Sequence, residues 1–99
     1  MSVEPVPACD RCESPAEDLG LELGDVDGEK VCHVCRRQEI QSQTVLSEQE
    51  ALTATLKQFG MTHEEIAEWG DISKSTVDEY SRRVNSKINR SRRTLELLE

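Results

Sequence analysis

From Leu46 onward the apolar residues of this chain fall at helical intervals; before it they do not. Leu46, Leu52, Leu56 and Phe59 share one face of a predicted helix. "LSEQE" opens it, because Ser47 followed three residues later by Glu50 is the reciprocal pattern in which each side chain satisfies the other's backbone N–H. Gly60 ends that helix. Thr62 and Glu65 repeat the pattern and predict a second helix running to Trp69. Gly70 and Asp71 break it, at a turn that favours the left-handed backbone Asp tolerates, and Ser73 caps a third, with Ile66, Ile72 and Val77 expected to fill the angle between the two helices. In the third, Val77, Tyr80, Val84, Ile88, Ser91, Leu95 and Leu98 recur at steps of 3, 4, 4, 3, 4 and 3. No Gly or Pro interrupts residues 72–99, so the pattern predicts one long helix, or one that breaks near Asn89 and resumes.

Upstream the punctuation is different. Residues 1–8, with Pro5 and Pro7, read as a disordered lead-in. From Cys9 to Cys35 the chain alternates cysteine pairs with turn signals: "ACDRCESPAED", "LGLEL", "GDVDG" and "EKVCHVC". This arrangement predicts a β-hairpin between two cysteine knuckles. Residues 36–44 carry a single strong apolar residue, Ile40, and read as a short helix or a linker. The expected division is therefore a lead-in over 1–8, a cysteine module with its connecting segment over 9–44, and a helical domain over 45–99.

Composition explains why the first half needs help. With 99 residues, 35% hydrophobic content and one each of Trp, Tyr and Phe, two small units cannot both be held by apolar burial alone. Cys9, Cys12, Cys32 and Cys35 supply the alternative. Two residues between the members of a pair let one tight turn aim both thiolates at the same ion, and two such turns complete a tetrahedral shell. The 19 residues between the pairs suffice for a hairpin that brings them together. The spacing predicts one structural Zn2+ and resembles zinc ribbons and treble-clef modules over 9–35. His33, inside the second pair, is read as a bystander. A closed four-thiolate shell leaves no position for a reacting water, and no nucleophile–base or paired-carboxylate grouping is evident, so the chain does not read as an enzyme. No segment approaches the roughly 20 apolar residues of a membrane span, and "MSVEPVPACD" lacks the basic and apolar regions of a signal peptide. The expected location is cytoplasmic, where paired cysteines hold metal more often than they form disulfides.

Charge divides the chain as sharply as hydrophobicity does. The net charge is −8, yet residues 1–50 hold 12 acids and 4 bases, whereas residues 51–99 hold 8 of each. Between Arg82 and Arg93 stand six cations and no acid, a stretch suited to a phosphate backbone. The acidic total, with arginine exceeding lysine 8 to 4, resembles proteins of salt-accumulating archaea.

"LSEQE", "GMTHEEIA" and "ISKSTVDEY" together resemble the DNA-binding domains of LuxR-type response regulators and region four of bacterial sigma factors, over about residues 46 to 93. The resemblance implies a three- or four-helix helix-turn-helix unit with a long last helix. In it the helix starting near Ser73 reads bases of double-stranded DNA, and Thr62 touches phosphate. Carried onto this chain, the groove-facing candidates are Lys74, Ser75, Thr76, Asp78, Glu79 and Arg82. Arg83, Lys87 and Arg90 add backbone contacts, as does Lys57. Gly70 stands where that family carries a core Leu, so Trp69 is expected to fill the space. A homodimer built on the seam of Val84, Ile88, Leu95 and Leu98 is expected, the competing possibility being that the leucines fold back on Leu52 and Leu56. The acidic cysteine module would repel DNA and is expected to meet a protein. The whole chain therefore reads as a sequence-specific transcriptional regulator, with a zinc-stabilised protein-interaction adaptor as the alternative.

Overall fold

The computed structural model describes residues 8–15 and 20–98, and residues 1–7, including most of the expected lead-in, lie outside this range. Two short strands come first, β1 (Gly24–Val26) and β2 (Glu29–Val31). Four helices follow among the described residues: α1 (His33–Gln43), α2 (Glu48–Gln58), α3 (His63–Gly70) and α4 (Lys74–Leu98). The architecture is mainly helical with a small antiparallel hairpin, as the sequence predicts.

The hairpin pairs Gly24 with Val31, Asp25 with Lys30 and Val26 with Glu29. Its turn is Asp27-Gly28, both at positive φ (50° and 87°). A two-residue turn of that hand matches the twist of the flanking strands, and Asp-Gly tolerates it best. Alternation then does the rest: Val26 and Val31 point inward beside Cys9 and Cys32.

The helices start where their capping residues say. Ser47 and Glu50 form the reciprocal cap of α2, and Thr62 and Glu65 that of α3. Asp71, at φ 53° and ψ 46°, takes the left-handed conformation that ends α3 one residue beyond Trp69. Among non-glycine residues Asp and Asn accept that conformation most readily. Ser73 Oγ accepts the Thr76 N–H at 3.2 Å and opens α4. That helix is continuous for 25 residues, with no break at Asn89.

Two small cores result. One gathers Cys9, Val26, Val31 and Cys32; the other gathers Leu56, Ile66, Ala67 and Val77. A loop at Thr44 separates α1 from α2, and side chains cross between the two cores in both directions. Phe59, just after α2, packs into the hairpin core, and Leu21, just before β1, packs into the helical one. Gly24 makes the first crossing possible: a Cβ there would stand 2.2 Å from Phe59 Cε1. The segment read as a short helix or linker is the body of α1, which begins inside the second cysteine knuckle and packs along α2.

Three packing expectations need correction. Ile72, expected in the angle between α3 and α4, is 41% exposed, because the left-handed turn at Asp71 swings it outward. Trp69 does not fill the space at Gly70. It is 40% exposed, and a Cβ on Gly70 would meet only Ile72, at 3.7 Å or more. The leucines of α4 do not fold back on Leu52 and Leu56, since a continuous helix carries Leu95 and Leu98 into solvent at 63% and 81% exposure.

Candidate metal centre and the exposed face of the last helix

The four cysteine Sγ atoms all lie within 4.8 Å of one another. Cys9 and Cys35 are 3.8 Å apart, and Cys12 and Cys32 are 3.7 Å apart. These separations are far longer than a disulfide bond of about 2.0 Å. They match the edge of a tetrahedron, about 3.8 Å, built from metal–sulfur bonds of about 2.3 Å. All four are free thiols, with Cys9 and Cys32 buried and Cys12 exposed. The residues fit a metal ion as a closed set of four sulfur ligands.

The local chain is arranged to support thiolates. Arg11 N–H and Cys32 N–H point at Cys9 Sγ at 3.4 and 3.3 Å, and Cys35 N–H points at Cys32 Sγ at 3.4 Å. Each is a backbone dipole directed at developing negative charge. Burial opposes ionisation of Cys9, but the N–H groups of Cys12, Cys32 and Arg11 outweigh it and bring its pKa down to about 6. A hydrogen bond with Ser14 lowers Cys12. Burial, reinforced by the neighbouring thiols, pushes Cys32 and Cys35 the other way. Four thiols in this volume resist ionising together, and a divalent cation is the partner that would remove the conflict.

The knuckles are tied into the fold by polar contacts. Asp10 N–H donates to Lys30 O at 2.7 Å and Asp10 Oδ2 accepts from Lys30 N–H at 2.8 Å, which pins the first knuckle to β2. Arg11 pairs with Glu29 and with Glu39 of α1. His33, the first residue of α1, is not among the clustered ligands. Its ring meets Trp69 edge-on, with centroids 5.3 Å apart at 83°, while its buried Nδ1 has no partner. Burial and the nearby Arg37 hold this imidazole neutral, below its ordinary pKa. The second knuckle therefore abuts the end of α3, two residues before the Asp71 turn.

Beyond that turn, Lys74 and Ser75 are exposed and Thr76 is half-buried. Thr62 is exposed at the start of α3, its hydroxyl accepting the Glu65 N–H at 3.2 Å. Asp78 is engaged from two sides. His63 Nδ1 lies 2.5 Å from Asp78 Oδ1, and since a carboxylate only accepts, that nitrogen carries the proton. Lys74 Nζ stands 3.7 Å from the other oxygen. The His63 hydrogen bond, helped by Lys74, holds Asp78 ionised below the usual carboxylate range. Glu79 pairs with Arg83 at 2.6 Å across one helical turn. Arg82 and Arg90 are exposed and make no ion pair among the described residues.

Some residues assigned from the sequence to the phosphate contacts and the dimer seam are otherwise occupied, among them Lys57, whose Nζ donates to Ser81 Oγ at 2.7 Å. Lys87 Nζ binds Glu50 Oε1 at 2.5 Å and the Val45 carbonyl at 3.2 Å, because helical rotation turns it toward α2. Glu50 thus both caps its own helix and anchors a residue 37 positions away; the Lys87 hydrogen bond, with the Ser47 N–H, lowers its pKa. Val84, only 9% exposed, is covered within its own chain, leaving Ile88, Leu95 and Leu98 as the exposed part of the seam. Sequence reasoning missed the Glu50–Lys87 and His63–Asp78 pairs. Only the capping box signalled Glu50, and nothing local signalled its partner.

No protein-family model, curated protein or solved structure matches this chain. Its function has to be argued from the two sites just described.

Proposed function

We propose that this chain is a DNA-binding regulator in which the four cysteines hold one structural Zn2+ and the α3–Asp71–α4 segment acts as a helix-turn-helix. The observation that carries the reading is the exposed N-terminal turn of α4, presented by the left-handed Asp71 and bearing Lys74 and Ser75 in solvent. In such units the early residues of the second helix meet base edges in the major groove. Lys74, Ser75, Thr76, Glu79 and Arg82 are the groove-facing set. Thr62 lies toward one strand's phosphates, and Arg83 and Arg90 toward the other's, while Lys57 is held inward by Ser81 Oγ at 2.7 Å. Asp78, which would repel phosphate if unpaired, is neutralised by His63 and Lys74 and serves to brace α4 against α3.

Zinc suits the donor set because four thiolates in a tetrahedral arrangement favour it over harder cations. Once bound, it turns ligand-binding free energy into folding free energy for the hairpin. The Cys32 and Cys35 N–H groups, donating to Cys9 Sγ and Cys32 Sγ, sustain the thiolates, and the His33–Trp69 contact sets the folded knuckle against α3. Sequence-independent affinity comes from the cations of α4, and selectivity from the few side chains of its first two turns.

Selection of bound duplexes from a random pool tests the reading. The expected result is a recovered motif whose binding weakens steeply with salt, weakens further on Arg82→Glu, and loses selectivity on Ser75→Ala. Absence of salt-dependent binding to any duplex refutes it. That outcome favours the second reading, an adaptor whose acidic hairpin docks a protein. The exposed carboxylates of Asp25, Asp27 and Glu29 around the turn support that alternative.

A further inference from the structure

The distal half of α4 is the least explained part of the molecule. Every described residue from Ile88 to Leu98 is exposed, so these three turns have little of the described chain to pack on. A helical extension of that length is marginal in water without a surface to pack on. Of the seven large apolar side chains left exposed among the described residues, five cluster here: Val45 at 71%, Ile88 at 42%, Leu95 at 63%, Leu97 at 67% and Leu98 at 81%. Between Val45–Leu46 of the α1–α2 loop and Ile88, Ser91 and Leu95 of α4 runs a cleft of about 390 Å³. The Lys87 bond to the Val45 carbonyl holds the loop wall in place.

We infer that this cleft seats the Leu95–Leu98 turn of a second copy, with the two distal α4 segments running in opposite directions about a two-fold axis between Ser91 and Leu95. The charge pattern selects both the occupant and the direction. Arg92 and Glu96, four residues apart, occupy one flank of α4 beside the apolar stripe. Reversed packing lays that flank against its own copy, placing each Glu96, which Arg93 of its own chain meets at 3.5 Å, within reach of the partner's Arg92 as well. Parallel packing instead sets Arg92 beside the partner's Lys87. An isologous contact of this kind closes at two chains. It also accounts for Val45, Leu46 and Leu97, which a simple helix–helix seam leaves unused, while Val84 and Lys87 stay in their own chain's packing. The inference stands without the DNA-binding reading and is tested without DNA.

Sedimentation equilibrium of the full metal-loaded chain at about 0.1 mM should give a dimer. Val45→Asp and Leu95→Asp, both at exposed positions and checked for unchanged circular dichroism, should each weaken association at least about tenfold. Glu96→Arg alone should weaken it less, and the swap Arg92→Glu with Glu96→Arg should restore it. A monomeric wild type overturns the inference. A dimer indifferent to Val45→Asp overturns the cleft as its seat, and failure of the swap to restore association overturns the reversed packing.

Discussion

The hairpin unit and the helical unit are of similar modest size, yet they are held by different physics. Around the hairpin the buried apolar set is two valines and two cysteines. Burial of that size is worth only a few kcal/mol, at about 25 cal/mol per Å², so the proposed metal, held by the four thiols as one ligand set, would supply the rest of its order. The helices carry their own instructions in two reciprocal caps, a left-handed stop and a small apolar centre of Leu56, Ile66, Ala67 and Val77. The lesson lies where the units meet. Each lends the other a side chain, Leu21 in one direction and Phe59 in the other, so chemistry at the cysteines reaches the helices through packing.

Removal of the proposed metal should break the comparison most severely. Chelation, or Cys32→Ser, should unfold residues 8–35 cooperatively, seen as loss of dispersed amide signals. Because His33 touches the only tryptophan, Trp69 emission should shift at the same time. Helical signal should fall only in part. Unchanged spectra after verified metal loss would show that the thiols are not the organising element.

Phe59→Ala tests the join itself. The ring is half-buried, so the expected loss in denaturant unfolding is about 2–3 kcal/mol, below the ~3–5 kcal/mol of a fully buried aromatic. Metal affinity should drop with it if the two units are coupled; a stability loss with intact affinity would mean they are independent.

Lys87→Met sharpens the helical side. It strands the buried Glu50 carboxylate, at an expected cost of about 2–3 kcal/mol at neutral pH, discounted from fully buried pairs because Lys87 is 31% exposed. Glu50 has a folded pKa below that of the unfolded chain, about 4.3. Its contribution is therefore complete above that value and lost as pH falls through the lower folded one. The gap between wild type and variant should close in that acid window, and a gap independent of pH would refute the pairing.

The smallest effect has the opposite sign. Gly70→Ala, in the last turn of α3 with room for a methyl group, should stabilise the helical unit by about 0.5–1 kcal/mol. A thermal melt decides it.

Much of this was legible in the chain. Ser47 with Glu50 and Thr62 with Glu65 announced two helix starts, Asp71 announced a left-handed stop, and Asp27-Gly28 sits in the turn-rich stretch between the cysteine pairs, whose spacing foretold the cluster. The misses have a common character. Ile72 was expected inside and lies outside; Lys87 was expected on phosphate and binds Glu50; Asp78 was expected to face the groove and is braced by His63. In each case the deciding partner stands elsewhere in the fold, or the deciding factor is the direction in which a turn throws the next residue.

The sequence by itself determined the local events, because a cap, a left-handed residue and a two-residue knuckle are set by atoms within about four positions of one another. Tertiary structure alone decided that Gly24 makes way for Phe59, that Glu50 is neutralised by Lys87, and that the apolar seam of α4 is buried at Val84 but open from Ile88 onward. Periodicity states which residues share a face. What that face meets depends on elements tens of residues away, whose placement no short stretch encodes.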